Sequence, residues 1–220
     1  MPVYRLADNH VGFPNPVDAE PDGLLAVGGD LSPRRLIAAY AQGIFPWYSE
    51  GSPILWWSPD PRCVLFPDRF HLPRSLARTL RRGTFHCTMN TAFEAVLEGC
   101  AGGRRAEEGT WLLPEMRAAY LQLHRLGLAH SFEAWHNDEL AGGLYGVLLG
   151  RVFFGESMFY RVPDASKAAL AFLVETLKTR GVELIDCQQV TNNLVRFGAE
   201  ALPRAIFLEL LSHALEPAQP

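Results

Sequence analysis

Two short polar motifs close two apolar runs in the second half of this 220-residue chain: GESMF, from Gly155 to Phe159, and LIDCQ, from Leu184 to Gln188. The first follows Val147, Leu148, Leu149, Val152, Phe153 and Phe154, and the second follows Val182, so each reads as a short buried strand. Between them lies SKAALAFLVETLKTR, a helix that Asp164 or Ser166 can cap and Gly181 can close. Strand, helix, strand is a crossover unit, so the two strands can lie parallel in one sheet. A buried strand that carries Glu156, Asp186 and Gln188 bears a desolvation cost that apolar residues would avoid, and a polar ligand or a satisfied network must compensate. Asp186 and Gln188 are two residues apart, and an extended backbone sends both side chains to the same face.

The rest of the chain is ordinary globular material, 48% hydrophobic and 20% charged, enough for one large domain or two small ones. The opening MPVYRLADNH has no apolar core behind a basic start, and no run approaches the roughly 18 apolar residues that span a bilayer. The expectation is a soluble cytoplasmic protein. Cys63, Cys87, Cys100 and Cys187 form no C-x-x-C pair and read as buried reduced thiols; no histidine spacing suggests a metal site. A net charge of -4 argues against indiscriminate nucleic-acid binding but not against a local basic patch.

Residues 1–61 read as a unit distinct from 62–220, because nine of the 16 prolines fall there. One clear helix emerges in it, SPRRLIAAYAQG, with Ser32 as cap, Pro33 in the first turn and Gly43 past the end. Gly28-Gly29-Asp30 reads as a turn, since no lysine follows as a phosphate loop requires. In IFPWYSEGSPILWWSPDPR, from Ile44 to Arg62, prolines block a regular central strand. Trp56 and Trp57 suit local core, whereas Trp47 after a proline suits a stacking platform for a nucleobase, worth roughly 1 to 3 kcal/mol per base.

A second element bears on nucleic acid. LPRSLARTLRRG, from Leu72 to Gly83, sets Arg74, Arg78, Arg81 and Arg82 on one helical face and Leu72, Leu76 and Leu80 on another. The bland reading is a solvated surface helix. The functional one is a phosphate-binding face, since no acidic neighbours at i±4 occupy the arginines. Beyond residue 85 the pattern is α+β: helices over Thr91 to Gly99 and Pro114 to Leu126, then strands at SFEAWH, LAGGLYGVLL and RVFFGESMFY, with turns at Asn137-Asp138 and Gly150-Arg151. Thr191 opens a further helix, TNNLVRFGA, and residues 204–215 form another helix or a final edge segment.

The series GLLAVGGDLSP, GIFPWY, ILWWSPDPR, EEGTW, GGLYGV, GESMF, SK and LIDCQ, in this order, resembles the bacterial leucyl/phenylalanyl-tRNA–protein transferase family. The resemblance implies a C-terminal domain of N-acetyltransferase-like (GNAT) fold with a small N-terminal domain against it. It implies that Leu or Phe, less well Met, passes from aminoacyl-tRNA to a protein whose first residue is Arg or Lys. The product carries a destabilising N-terminus that marks it for degradation. Because aminoacyl-tRNA is already an activated ester, no cofactor is expected; a monomer with no membrane partner is expected as well.

Residue by residue, the resemblance assigns Gln188 to the amine proton, with Asp186 polarising or orienting it. It places the terminal adenine between Trp47 and Trp111, and the aminoacyl side chain among Leu144, Phe153, Met158, Leu170, Leu173, Leu177 and Ile185. Read from the residues, Glu156 and Asp186 offer an anionic wall to a basic acceptor residue, against the alternative of a capped turn or buried pair for Glu156. A neutral amide is a weak base, so orientation by Gln188 with proton transfer through water or the ribose hydroxyl is the safer chemistry. Two other classes share single features. An acyl-CoA N-acetyltransferase would need a glycine-rich turn where this chain reads FYRVPDASKAAL. A noncatalytic RNA-binding module would have no use for Glu156, Asp186 and Gln188 together.

Overall fold

The computed structural model describes residues 3–7, 10–102 and 112–216. The N-terminal part builds a four-stranded sheet from β1 (Tyr4–Leu6), β2 (Leu24–Gly28), β3 (Phe45–Pro46) and β4 (Leu55–Trp57), in the order β1-β2-β4-β3. Helix α1 (Pro33–Tyr40) starts and stops where its punctuation requires: Ser32 Oγ accepts the Arg35 N–H, and Gly43 takes the left-handed φ of 70°. Proline is confined to the edge strand β3, where a missing N–H costs no ladder bond. The expectation that prolines exclude an interior strand is corrected here. Pro53 and Pro59 bracket β4 without entering it, and β4 lies between β2 and β3.

The larger sheet holds β5 (Arg62–Leu65), β6 (His86–Met89), β7 (Ala129–His136), β8 (Glu139–Leu149), β9 (Val152–Tyr160), β10 (Leu184–Gln188) and β11 (Glu200–Leu202), in the order β11-β5-β10-β9-β8-β7-β6. All neighbours are antiparallel except β9 and β10, which are parallel and joined by α5 (Ala165–Thr179). One parallel crossover pair inside an otherwise antiparallel sheet is the GNAT-like arrangement that the family resemblance implied. The remaining helices are α2 (Arg74–Arg81), α3 (Phe93–Ala101), α4 (Pro114–Arg125), α6 (Asn192–Val195) and α7 (Arg204–Leu215). Asn137 and Asp138, at φ 51° and 62°, make the two-residue turn between β7 and β8. Asp164 does precede α5, but its carboxylate pairs with Lys167 instead of capping the backbone, and Ser166 lies inside the helix. Residues 204–215 are helical, and the edge position falls to β11.

Two apolar layers flank the large sheet. On one face, α1, the N-terminal sheet, α3, α4 and α7 share one core through Leu36, Tyr40, Trp56, Val96, Met116 and Phe207. On the other, α2 and α5 pack Leu76, Leu170, Leu173 and Val174 over Phe153 and Ile185. Trp56 is fully buried and its Nε1 donates to Gly28 O at 2.9 Å, which ties β4 to β2. Among the described residues no helix is long and apolar enough to cross a membrane.

Candidate active site

Both polar motifs fall at irregularities in the ladder. In β9, Gly155 pairs with Gly146 and Ser157 with Tyr145, so Glu156 is the extra residue of a bulge. Gly146 is required there, because a β-carbon on it would lie 2.1 Å from the Phe154 carbonyl oxygen. The bulge separates faces: Phe153 and Met158 point to the α5 side, while Glu156 points to Tyr40 and Tyr120. The pairing of β9 with β10 ends at Phe154 and Asp186. Beyond that pair the strands border a cavity of about 670 Å³ whose wall includes Glu156 and Gln188.

Glu156 is the hub of this opening. Tyr40 OH donates to its Oε1 at 2.8 Å, Tyr120 OH donates to its Oε2 at 2.6 Å, and Gln188 Nε2 donates to Oε1 at 3.1 Å. The two tyrosine hydroxyls also lie 2.7 Å apart. With both hydroxyl protons given to Glu156 the contact between the two hydroxyls carries no proton; a proton taken up by Glu156 reverses one of its tyrosine bonds and frees that hydroxyl proton to bridge the pair. Burial pushes the Glu156 carboxyl up to about 7, against the hydrogen bonds of Tyr120 and Tyr40 that favour its charged form. Burial, and then the Glu156 charge, hold both tyrosines well above the ordinary phenol range, so they remain donors.

Asp186 is fully buried and is not on the cavity wall. Arg62 grips it bidentately, Nε to Oδ1 at 2.8 Å and Nη2 to Oδ2 at 2.6 Å, and Oδ1 also accepts the Gln188 N–H at 2.9 Å. The guanidinium lies over the rings of Phe45, at 4.9 Å, and Phe207, at 4.6 Å. The expected common face of Asp186 and Gln188 is corrected by this geometry. The β10 register shifts between the two residues, and Gln188 adopts φ 61°, a left-handed conformation that costs a non-glycine residue on the order of 1 kcal/mol or more. With Nε2 committed to a carboxylate, the Gln188 amide oxygen is the atom left to accept a proton donor.

The expected apolar set divides. Leu144, Phe153, Met158, Leu170, Leu173 and Ile185 line the cavity, whereas Leu177 sits one turn beyond Leu173, buried in the core and off the wall. Trp47 is 42% exposed just after β3, its ring 5.7 Å from that of Trp57, and its carbonyl accepts the Trp57 Nε1 proton. Trp111 lies outside the described residues. Arg74, Arg78, Arg81 and Arg82 are exposed on α2, opposite the buried Leu76. All four cysteines are free thiols; Cys63 and Cys100 are buried, and Cys87 and Cys187 are half-buried. Sequence reasoning missed Tyr40, Tyr120 and Arg62. Tyr40 and Tyr120 occupy buried helical positions that periodicity labels as core, and nothing in the chain pairs Arg62 with a residue 124 positions away.

Comparisons with known proteins show the family. The family model described as leucyl/phenylalanyl-tRNA protein transferase matches residues 64–212, and that of the N-terminal domain of the same family matches residues 29–60. A leucyl/phenylalanyl-tRNA–protein transferase of Anaeromyxobacter dehalogenans (strain 2CP-C) is 61% identical over 217 residues, covering 98% of this chain and 93% of that one. One of Magnetococcus marinus is 56% identical over 225 residues, covering 100% and 94%. Among solved structures, a GCN5-related N-acetyltransferase from Kribbella flavida aligns with a TM-score of 0.40 at 10% identity, over 78% of this chain and 61% of that one.

Proposed function

Since the chain belongs to the leucyl/phenylalanyl-tRNA protein transferase family, we propose that the cavity beneath Glu156 and Gln188 is where it moves Leu or Phe from aminoacyl-tRNA to a protein N-terminus. The acceptor α-amine attacks the ester carbonyl, a C–N bond forms, and the bond to the 3′-terminal ribose oxygen breaks. The ester is already activated, so positioning supplies most of what the reaction needs. The aminoacyl side chain enters the apolar wall of Leu144, Phe153, Met158, Leu170, Leu173 and Ile185. The Gln188 amide oxygen accepts an N–H of the amine, and Glu156 receives the proton that the attack releases and returns it, through water, to the departing ribose oxygen, which leaves as a hydroxyl. A carboxyl near pH 7 and an α-amine near ~7.7 to 8.0 are close enough for proton exchange in either direction.

One observation carries this reading: a carboxylate–amide pair, held by two tyrosines, sits on the wall of a cavity that is otherwise largely apolar. The acceptor begins with Arg or Lys, whose cation the Glu156 carboxylate favours, and the new N-terminus marks the product for degradation. Residues 1–61 act as the small domain that supports the adenosine through Trp47, with Trp111 as its counterpart, and residues 62–220 carry the chemistry. The protein acts as a monomer in the cytoplasm, where aminoacyl-tRNA is available. Incubation with labelled Leu-tRNA, labelled acetyl-CoA and a peptide starting with Arg tests the assignment. Label should pass from Leu-tRNA alone, and transfer from acetyl-CoA instead would replace it with an acetyltransferase reading.

The exposed arginines of α2 supply the phosphate contacts of the tRNA. Changing Arg78 and Arg82 to Ala should weaken all aminoacyl-tRNAs about equally and lower the salt slope of binding by roughly 2, because phosphate contacts carry no sequence information. Filter binding from low to moderate salt reads both quantities. An unchanged slope would return α2 to the solvated-helix reading.

A further inference from the structure

We propose that Arg62 is a positioning residue for transfer: through Asp186 it holds the backbone conformation that presents Gln188 to the acceptor amine. This rests on the amine site described under the proposed function. Arg62 is 1% exposed and does not line the cavity, so it reaches the reaction only through other groups. Its Nε and Nη2 fix both carboxylate oxygens of Asp186, and Oδ1 of that carboxylate then takes the Gln188 N–H. The Gln188 backbone is the part that needs holding. It lies past the last β9–β10 pair, after a register shift against β5, at φ 61°. An L-residue returns from that conformation to an extended one unless its surroundings over-determine it. The Asp186 carboxylate is the side-chain acceptor that does so.

Arginine suits this task for a geometric reason. A planar fork meets both oxygens of a carboxylate at once and fixes its rotation, whereas an ammonium group acts as a point charge. The fork is itself fixed, with Phe45 of β3 over it at 4.9 Å and Phe207 of α7 at 4.6 Å. A residue from the N-terminal sheet and one from the C-terminal helix therefore meet at a single guanidinium, two hydrogen bonds from Gln188. The side chain of Gln188 is then steered to Glu156 at 3.1 Å.

The test removes the ion pair whole, so that no lone buried charge remains: Arg62→Met together with Asp186→Leu, a class of exchange that often leaves stability unchanged or improved. Thermal unfolding, Leu-tRNA binding and transfer to an Arg-starting peptide are measured. The expected result is a folded protein with Leu-tRNA affinity within about threefold of the parent and turnover lower by about 10²-fold, as for a small misplacement at a reacting centre. The decisive readout is coupling with Gln188→Ala. If Arg62 acts through Gln188, adding that substitution to the double variant costs less than about threefold more, although it is costly in the parent. Turnover near the parent value, or a full multiplicative loss on adding Gln188→Ala, would overturn the proposal. Should the double variant not fold, Arg62→Lys keeps the charge without the fork and enters the same cycle, judged by the same two outcomes. Absence of transfer by the parent protein would instead overturn the functional reading itself.

Discussion

Gln188→Ala is expected to lower turnover of Leu transfer by about 10²-fold while Leu-tRNA affinity stays within about twofold. The asymmetry follows from where Gln188 stands. Its amide nitrogen is spent on Glu156, so in the proposed reading the oxygen is the atom left for the amine, and the apolar wall proposed for the aminoacyl group lies on other residues. Removing the amide therefore subtracts an interaction made with the nucleophile and leaves binding of the donor intact. Gln188→Glu is the informative companion, since it keeps the shape but sets a second carboxylate against Glu156. Like charges at that distance force one of them to hold a proton, and transfer should be recovered only in part. Single-turnover rates with preloaded Leu-tRNA measure the effect. A Gln188→Ala protein that turns over within threefold of the parent would remove this residue from the mechanism.

Glu156→Gln should lower transfer by at least about tenfold and erase the lower limb of its pH profile. In the parent protein the rate should rise as pH increases through about 7, where Glu156 gives up its proton and becomes able to accept one. In Glu156→Gln only the limb of the amine itself should remain, near ~7.7 to 8.0. Stability runs the other way. The folded carboxyl sits above its ordinary value of 4.5, so its stabilising contribution is full below pH 4.5 and is lost as pH rises through about 7. Ionised Glu156 at pH 8 then lowers stability by about 3 kcal/mol, and Glu156→Gln should melt higher than the parent at pH 8 with the gap closing towards pH 5. A gap that does not change with pH would show that Glu156 keeps its ordinary acidity.

Opposed signs in the two measurements would identify Glu156 as a residue kept for chemistry. A purely structural hub for Tyr40, Tyr120 and Gln188 would gain from a neutral amide at neutral pH and would lose no rate. The alternative reading of Glu156 as a buried pair is thus partly met by its tyrosine partners, but those partners leave Oε1 shared with Gln188 on the cavity wall.

Sequence by itself determined the elements whose signals are local. Ser32 and Gly43 bound α1, the arginine and leucine faces of α2 follow from helical spacing, Asn137-Asp138 turns β7 into β8, and the crossover through α5 makes β9 and β10 parallel. These depend on capping bonds, turn dihedrals and periodicity, which act over a few residues and are written in them. The motifs also marked Glu156, Asp186 and Gln188 as polar groups too costly to bury without partners. Only the tertiary structure decided who those partners are. Short strands such as β5 and β11 carry too few residues for a periodic signal, and they form because the sheet offers them an edge. The Arg62–Asp186 pair joins positions 124 apart, and Tyr40 reaches Glu156 across 116, so no window of sequence contains both members. The two bulges decided the rest. One extra residue in each strand rotates the side chains after it, turning Glu156 inward to the tyrosines and parting Gln188 from the face of Asp186, and the energy that selects a bulge lies in the packing around it.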